Sequence, residues 1–466
     1  MATLVMKFGG SLTADATRMA RVAQIILSEA QAWDRLVVVI SAVVGATDTL
    51  GQALAFAAAR NASGFRRAVT TLRESHLSLI DDLFAEQAIR RHLTEQIDRR
   101  LFDVLAICDR VMTTREATPR ERDSVMAAGE QILVPIVSAY LRHEGLRTAL
   151  IEADSVIVTD DTHQNANPLP DLIEERVERL LRPVLDQGMV AVMAGFIGAT
   201  RAGVLTTMGR GGSDYTATLI GAALRADEVW MWTNVDGIMS TDPEWVPNAR
   251  VIPVLSYEEV GELSYFGARV LHPDAIEPLA QRSIPLRVRN PDNLDHAGTL
   301  IQAEAPVYEA ALKAVTAVDG LCLTVQGQPI DLSEFLGQIR HLVGSAATGP
   351  VIVMQSHHRA VLIFVVLTSE GPQAVARAAE RLAAELPRWE VQPVKVIAAI
   401  GAPAMLRAEI DAQPLASAIG PGNRRLMAVR PGDARAVVRQ LHRLTEINEP
   451  PEMQLWPQTP GRPPEH

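Results

Sequence analysis

Two glycine-bearing clusters contain the residues best suited to chemistry. In Lys7-Phe8-Gly9-Gly10-Ser11 a lysine ends a short apolar run and two residues without side chains follow. Bare backbone lets amide N–H groups approach an anion closely, so the cluster suits a phosphate. It is not a Walker A loop, since Gly-x-x-x-x-Gly-Lys-Ser/Thr is absent there. On this motif alone, a tight strand-to-helix turn with a solvated lysine fits equally well. The stretch Thr206-Thr207-Met208-Gly209-Arg210-Gly211-Gly212-Ser213-Asp214 is denser and stands directly ahead of a helical pattern through Thr218 and Leu224. Ser213 or Asp214 can cap that helix, and three glycines before a helix N-terminus make an anion-binding nest favoured by the helix dipole. The planar fork of Arg210 can hold two oxygens of a carboxylate or phosphate. Asp214 can organise Mg²⁺ or orient a cationic side chain.

The elements that must position these clusters follow from apolar patterning. Leu4–Phe8, a glycine turn, a helical repeat through Met19, Val22, Ile26 and Leu27, and the doubly buried run Leu36–Ser41 spell a βαβ unit. From about residue 50 to 141 the chain is rich in Ala, Leu, Arg and Glu with few breakers, which predicts consecutive helices inserted beside a sheet. Strand-like runs return at Thr148–Glu152, Met189–Met193, Glu228–Thr233 and Pro285–Val288. They are separated by helical patterns at Asp171–Leu185 and Asp214–Leu224. That alternation predicts a three-layer α/β/α domain on a mainly parallel sheet. Beyond a polar, proline-ended stretch near residue 305 the pattern changes. Strands are predicted at Leu321–Val325, Val351–Gln355, Ala360–Leu367 and Val394–Ile400, with helices at Leu332–Val343, Gln373–Glu385 and Ala434–Leu444, so one or two small α+β units follow. The expected organisation is therefore a domain over 1–303, a linker over 304–310, an α+β region over 311–449 and a proline-rich disordered tail over 450–466.

Composition narrows the class. With 466 residues, 48% of them hydrophobic, the chain has ample material for a large core and exceeds one ordinary domain. A net charge of -11 disfavours nucleic acid and anionic membrane as partners. Two cysteines far apart, Cys108 and Cys322, support neither a disulfide framework nor a cysteine metal site. The N-terminus lacks a basic head followed by a long apolar run, and the later apolar runs read as shorter than a bilayer span, so a cytoplasmic enzyme is expected.

The two glycine clusters together resemble the paired motifs of the aspartate kinase family. Phe266-Gly267-Ala268-Arg269-Val270-Leu271-His272-Pro273 resembles a third motif of that family. Trp232-Thr233-Asn234-Val235-Asp236-Gly237-Ile238 followed by Thr241-Asp242-Pro243 resembles its nucleotide-side segment, and Gly195-Phe196-Ile197-Gly198 a further one, in matching order over about residues 3–303. The resemblance implies an amino-acid-kinase fold followed by ACT-like (ferredoxin-like) domains. It also implies Mg²⁺-ATP and phosphorylation of the aspartate side chain to 4-phospho-aspartate, the first step toward the aspartate-derived amino acids.

By the same resemblance Lys7 and Asp214 are catalytic. Glu130 pairs with the substrate ammonium, Arg210 holds a substrate carboxylate, and Thr47, Phe196 and Ser213 complete that pocket. The nucleotide side falls to Lys7, Gly9, Gly10, Ser11, Gly211, Gly212, Thr233, Asn234, Gly237, Met239 and Arg269. No protein cluster dedicated to a metal is implied. Asn234 stands where the family commonly has aspartate, Met239 where it has tyrosine, Glu244 near a commonly basic position and Arg269 where lysine is frequent. An arginine keeps the charge but changes the geometry offered to a phosphate. A homodimer and an amino-acid effector at the ACT-like region are further implications. Another carboxylate acceptor, such as glutamate or an N-acyl amino acid, and a non-catalytic regulatory subunit are the alternatives that the sequence leaves open.

Overall fold

Strands buried on both faces must lie at the centre of a sheet, and Leu4–Phe8 and Leu36–Ile40 do. A computed structural model of the chain describes residues 1–268, 271, 273–306, 312–326, 347–355, 359–366, 372–401, 413–420 and 424–445. Two compact units emerge, one formed by Met1–Gly237 with Leu271–Ala303, the other by Ile238–Val270 with the described residues from Glu304 onward. The segment from Ile238, read in sequence as part of the first domain, thus groups with the C-terminal region.

In the first unit β1 (Thr3–Phe8), α1 (Ala16–Ala32) and β2 (Arg35–Ile40) make the expected βαβ opening. Asp15 caps α1 by accepting the Arg18 backbone N–H at 2.9 Å. The predicted insertion is four helices: α2 (Ala46–Ala58), α3 (Ala62–Leu83), α4 (Gln87–Thr114) and α5 (Pro119–His143). Next come β3 (Thr148–Ile151), a short α6 (Ala153–Val156), β4 (Val158–Thr159), α7 (Pro170–Arg176) and α8 (Arg182–Asp186). The last two are joined by a π-helical turn over Val177–Leu181, where Pro183 has no N–H for the preceding turn. Then follow β5 (Val190–Ala194), β6 (Ile197–Thr200), β7 (Leu205–Thr207), α9 (Gly212–Leu224) and β8 (Glu228–Trp232). After β9 (Val254–Ser256) and α10 (Tyr257–Tyr265), which belong to the second unit, the chain returns with α11 (Pro273–Ala280), β10 (Leu286–Arg289) and β11 (Thr299–Gln302).

The sheet of this unit runs β3-β5-β2-β1-β8-β10-β11, parallel except for the antiparallel β10–β11 pair. Side chains alternate along β8, so Val229 faces α9, where a Cβ at Gly221 would come within 2.5 Å of it, while Trp230 meets Trp33 edge-on beyond the end of α1. Helices therefore cover both faces, the three layers that the pattern implied. A small sheet of β4, β6 and β7 stands apart from the large one. Helix α5 corrects one expectation: by length and hydropathy it would reach across a bilayer, but 67% of its apolar window is buried within the protein.

The second unit carries β12 (Ala314–Gln326), β13 (Ala347–Gln355), β14 (Arg359–Val366), β15 (Glu390–Ile400), β16 (Ala416–Gly420) and β17 (Arg424–Val429). Among the described residues these form one antiparallel sheet, ordered β13-β14-β12-β15-β17-β16. The helix Pro372–Glu385 packs on β12 and β14 around Leu321, Leu362, Phe364 and Leu382, and the helix Ala434–His442 on β15 and β17 around Ile397, Met427 and Val438. Val246 joins the latter core. The Ile238–Val270 segment is tied to this unit by polar bonds as well. Ser240 Oγ lies 2.9 Å from His442 Nε2, Lys313 pairs with Glu259 at 2.6 Å, and Arg424 pairs with Glu262 at 2.7 Å. The helix predicted at Leu332–Val343, much of the predicted linker, and the tail lie outside the described residues.

Candidate active site

Lys7 and Asp214 are 207 positions apart in sequence, yet their charged groups meet at 2.6 Å with both side chains less than one-fifth exposed. Strand β1 delivers Lys7 at its C-terminal end, and Asp214 sits in the first turn of α9. The Lys7 loop is held against the loop after β2: Val44 donates its N–H to the Gly10 carbonyl at 3.1 Å, and Ser41 to that of Phe8 at 3.2 Å. A Cβ at Gly10 would lie 2.0 Å from the Ala42 carbonyl oxygen, so only glycine allows this approach. Gly9 is anchored by its N–H to the Trp232 carbonyl at 3.4 Å, directly before Thr233. Ser11 gives its carbonyl to Arg18 at 2.7 Å.

The second glycine cluster forms the start of α9. Gly211 is the N-cap residue with φ 74°, the left-handed region that suits glycine, and the Gly212 N–H turns back to the Gly209 carbonyl at 3.1 Å. Arg210 is exposed on this loop, and Ser213 is half-buried in the first turn. Phe196 takes φ 68°, unusual for a bulky residue, in the turn between β5 and β6. Its N–H bonds Thr216 Oγ1 at 3.0 Å, its carbonyl accepts from Met208 N–H at 3.0 Å, and its ring lies against Gly212.

Glu130 stands on α5 beside the Lys7 loop, its backbone neighbour Gly129 close to Ala42. The residue is 4% exposed and its Oε2 has no hydrogen-bond partner. Burial pushes its pKa up to about 7, against the pull of the Ala42 backbone and the Lys7 charge. A buried carboxylate with an unpaired oxygen next to an anion-binding loop is suited to a cationic ligand group. Thr47, half-buried in the first turn of α2, follows the same loop after β2.

Of the expected nucleotide-side residues, Thr233 donates its backbone N–H to the Arg289 carbonyl at 2.9 Å, and Asn234 is exposed beside it. Asp236 accepts from Asn290 at 2.8 Å and Asn293 at 3.0 Å, bonds that hold its pKa below the ordinary value and fix the turn before Gly237. Met239 belongs to the second unit, where it bridges Val251. Arg269 lies outside the described residues.

Sequence reading missed Asp123. Fully buried on α5, it accepts from Thr207 Oγ1 at 2.6 Å and from the Gln164 N–H at 2.9 Å, and lies 2.5 Å from His163 Nδ1. The loop it anchors passes against the glycine cluster: Ala166 N–H bonds the Thr207 carbonyl at 3.0 Å, and Asn165 leaves no room for a side chain at Gly209. The one available signal was spacing, because Asp123 precedes Glu130 by two helical turns on the same face. Asp123→Ala is expected to cost about 3 kcal/mol, since it strands the buried Thr207 hydroxyl and removes the acceptor of the Gln164 N–H. Urea unfolding would measure the loss, and hydrogen exchange at residues 207–212 should quicken ahead of the rest of the domain.

Among the described residues no three His, Cys, Asp or Glu side chains gather into a metal cluster. A Mg²⁺ that arrives with a nucleotide needs only one or two carboxylates besides the phosphates, so Asp214 beside the glycine loops fits that role.

Parallel sheet, inserted helices and a lysine–aspartate pair between two glycine loops together define the class. Residues 2–290 match the Amino acid kinase family, and the chain belongs to that family. Among its relatives is Aspartokinase 1, chloroplastic, of Arabidopsis thaliana, 32% identical over 345 residues that make up 73% of this chain and 58% of the relative. The chain thus spans somewhat more than half of that protein's length. Aspartokinase III of E. coli in complex with aspartate and ADP is 27% identical and superposes with a TM-score of 0.77 over 95% of this chain and 99% of that one. The same enzyme in complex with lysine and aspartate gives 26% identity and a TM-score of 0.77.

Proposed function

We propose that this chain is an aspartate kinase, transferring the γ-phosphoryl group of Mg²⁺-ATP to the side-chain carboxylate of L-aspartate. The observation that carries the reading is the buried, half-unpaired Glu130 carboxylate beside the Lys7–Asp214 pair. A substrate with a free ammonium would complete Glu130, while Arg210 takes its α-carboxylate and Thr47, Phe196 and Ser213 shape the pocket around it. Gly10, Ser11 and Gly211 offer backbone donors to the phosphates, Gly9 and Gly212 keep the two loops bare of side chains there, and Thr233, Asn234 and Gly237 stand on the nucleotide side. Mg²⁺, held by Asp214 and the phosphates, would neutralise charge on the transferring group.

A side-chain carboxylate oxygen forms the new bond to phosphorus, the bond from the γ-phosphorus to the β-bridging oxygen breaks, and ADP leaves. The product is 4-phospho-L-aspartate. Lys7 faces the negative charge on the transferring group, and Asp214 holds that ammonium in place. No proton has to move, because the attacking group is already a carboxylate. The C-terminal sheet unit is proposed to bind an amino-acid effector and to join two copies of the chain, as a soluble enzyme of the cytoplasm.

The test is hydroxylamine trapping of acyl phosphate with Mg²⁺-ATP and aspartate, glutamate or N-acetyl-aspartate, with Lys7→Ala as the blank. Aspartate-dependent hydroxamate absent from the variant supports the assignment. A preference for glutamate or the N-acyl compound overturns the acceptor, and silence on all three from folded, ATP-binding protein overturns catalysis.

A further inference from the structure

On the sheet face opposite Lys7, three side chains form a row across the C-terminal ends of β1, β8 and β10: Phe8, Trp232 and Arg289 are register partners. Phe8 and Trp232 stack at 5.9 Å with their rings within 4° of parallel. The Arg289 guanidinium lies 4.9 Å from the ring centroids of both Trp230 and Trp232, and its Nη2 donates to the Leu294 carbonyl at 3.1 Å. It is therefore a cation held in one place by two indoles and a carbonyl. Above the row, α1 presents Arg21, Gln24, Ile25, Ser28 and Glu29, spaced three and four apart so that they share one helix face. Between helix and row is a cavity of about 450 Å³, closed at one side by Pro291, Asp292 and Leu294.

Two N–H groups on residues that line this cavity are buried without an acceptor: Trp232 Nε1, on a side chain only 1% exposed, and Arg289 Nε. Burying a donor without a partner costs free energy that an arriving acceptor recovers. Nearby polar groups are already engaged in part. Glu29 takes the Trp33 indole N–H at 3.2 Å, and Arg21 pairs with Asp292. Arg21 and Arg289 are matched in charge by Asp292 and Glu29, so the surplus at the cavity is one of N–H donors. It sits at the carboxyl ends of parallel strands, where open α/β sheets commonly bind ligands.

We propose that this cavity is a second ligand site, separate from the Lys7–Asp214 centre across the sheet, that binds a small carboxylate through the Arg289 guanidinium and the Trp232 indole N–H. The volume admits a molecule of amino-acid size, and the aromatic floor suits one with a short apolar body.

The test uses the full chain carrying Arg210→Ala, which removes the proposed carboxylate clamp of the active site, with malonate as probe and the isosteric neutral malonamide as control. Malonate should bind saturably by calorimetry and change tryptophan emission, and malonamide should do neither. Trp232→Phe, which keeps the ring stack and removes the N–H, should weaken malonate binding about tenfold, and Arg289→Gln should do so at least as strongly. Circular dichroism and Tm confirm that both variants fold. If one variant misfolds, the other decides the matter. No saturable binding below about 10 mM overturns the proposal. So does binding that both folded variants retain, or equal binding of malonamide.

Discussion

Replacing Lys7 with alanine is expected to lower kcat about 10³-fold in the trapping assay, with a much smaller change in KM for aspartate. The size follows from what phosphoryl transfer requires of a protein. Little covalent chemistry falls to side chains, so fixed charges aimed at the transferring group supply most of the acceleration, and losing one such donor costs on the order of 10²–10³ in rate. Lys7 is well placed for that role because it is held, not floating: Asp214 fixes its ammonium at 2.6 Å where the side chain is only 14% exposed. Two further outcomes follow from the pairing. Lys7→Arg should rescue poorly, since a broad fork cannot occupy the place of a compact ammonium between Asp214 and a phosphate. Asp214→Asn should be damaging alone but should add little once Lys7 is gone, because residues acting as a unit are not additive. A kcat within tenfold of the parent in Lys7→Ala, from protein with an unchanged melting transition, would remove the lysine from the reaction.

How much of this was written in the chain depends on the range of the interactions. The βαβ opening, the helices between residues 50 and 141 and the strands near Thr148, Glu228 and Leu286 come from local apolar patterning; the strands are found within a residue or two of their predicted places, and the helical stretch starts four residues early, at Ala46. The small sheet of β4, β6 and β7 gave no such signal, since strands of two to four residues carry no period. Residues of the site that lie in glycine clusters were legible because they need unusual backbone. Their meeting across 207 positions was not, and came only through resemblance. Asp123 was invisible for a different reason: an aspartate in a helix looks solvated until the fold buries it against Thr207 and the Gln164 backbone. The boundary at Ile238 was also hidden. Ser240, Glu259 and Glu262 read as ordinary polar positions, and only the tertiary structure pairs them with His442, Lys313 and Arg424. Those pairs give the proposed effector region a direct hold on the segment that begins one residue after Gly237.

Glu130→Gln is expected to stabilise the free protein and to cripple it as an enzyme, both in a pH-dependent way. The folded carboxyl titrates at about 7, against an ordinary value near 4.5, because burial disfavours the charged form. Below pH 4.5 the carboxyl is protonated in folded and unfolded chains alike, and it contributes no difference. As pH rises toward 7 the unfolded chain ionises while the folded one holds its proton, so stability falls. Above 7 the loss levels off at ~3 kcal/mol. A glutamine does not titrate, so the variant should match the parent near pH 4.5 and exceed it by up to ~3 kcal/mol at pH 8, read by urea unfolding.

Substrate binding should run the other way. An arriving ammonium needs the carboxylate, so the parent's KM for aspartate should fall about tenfold per pH unit up to 7 and flatten beyond. The glutamine variant should show a KM about 10²-fold higher at pH 8 with little dependence on pH, as expected for removing one member of a buried charge pair. Parallel KM profiles for parent and variant would mean that Glu130 does not receive the ammonium. A variant less stable than the parent at pH 8 would mean that its carboxylate already has a partner in the free protein. The two measurements thus separate a residue kept for binding, at a cost to the fold, from one that merely completes the core.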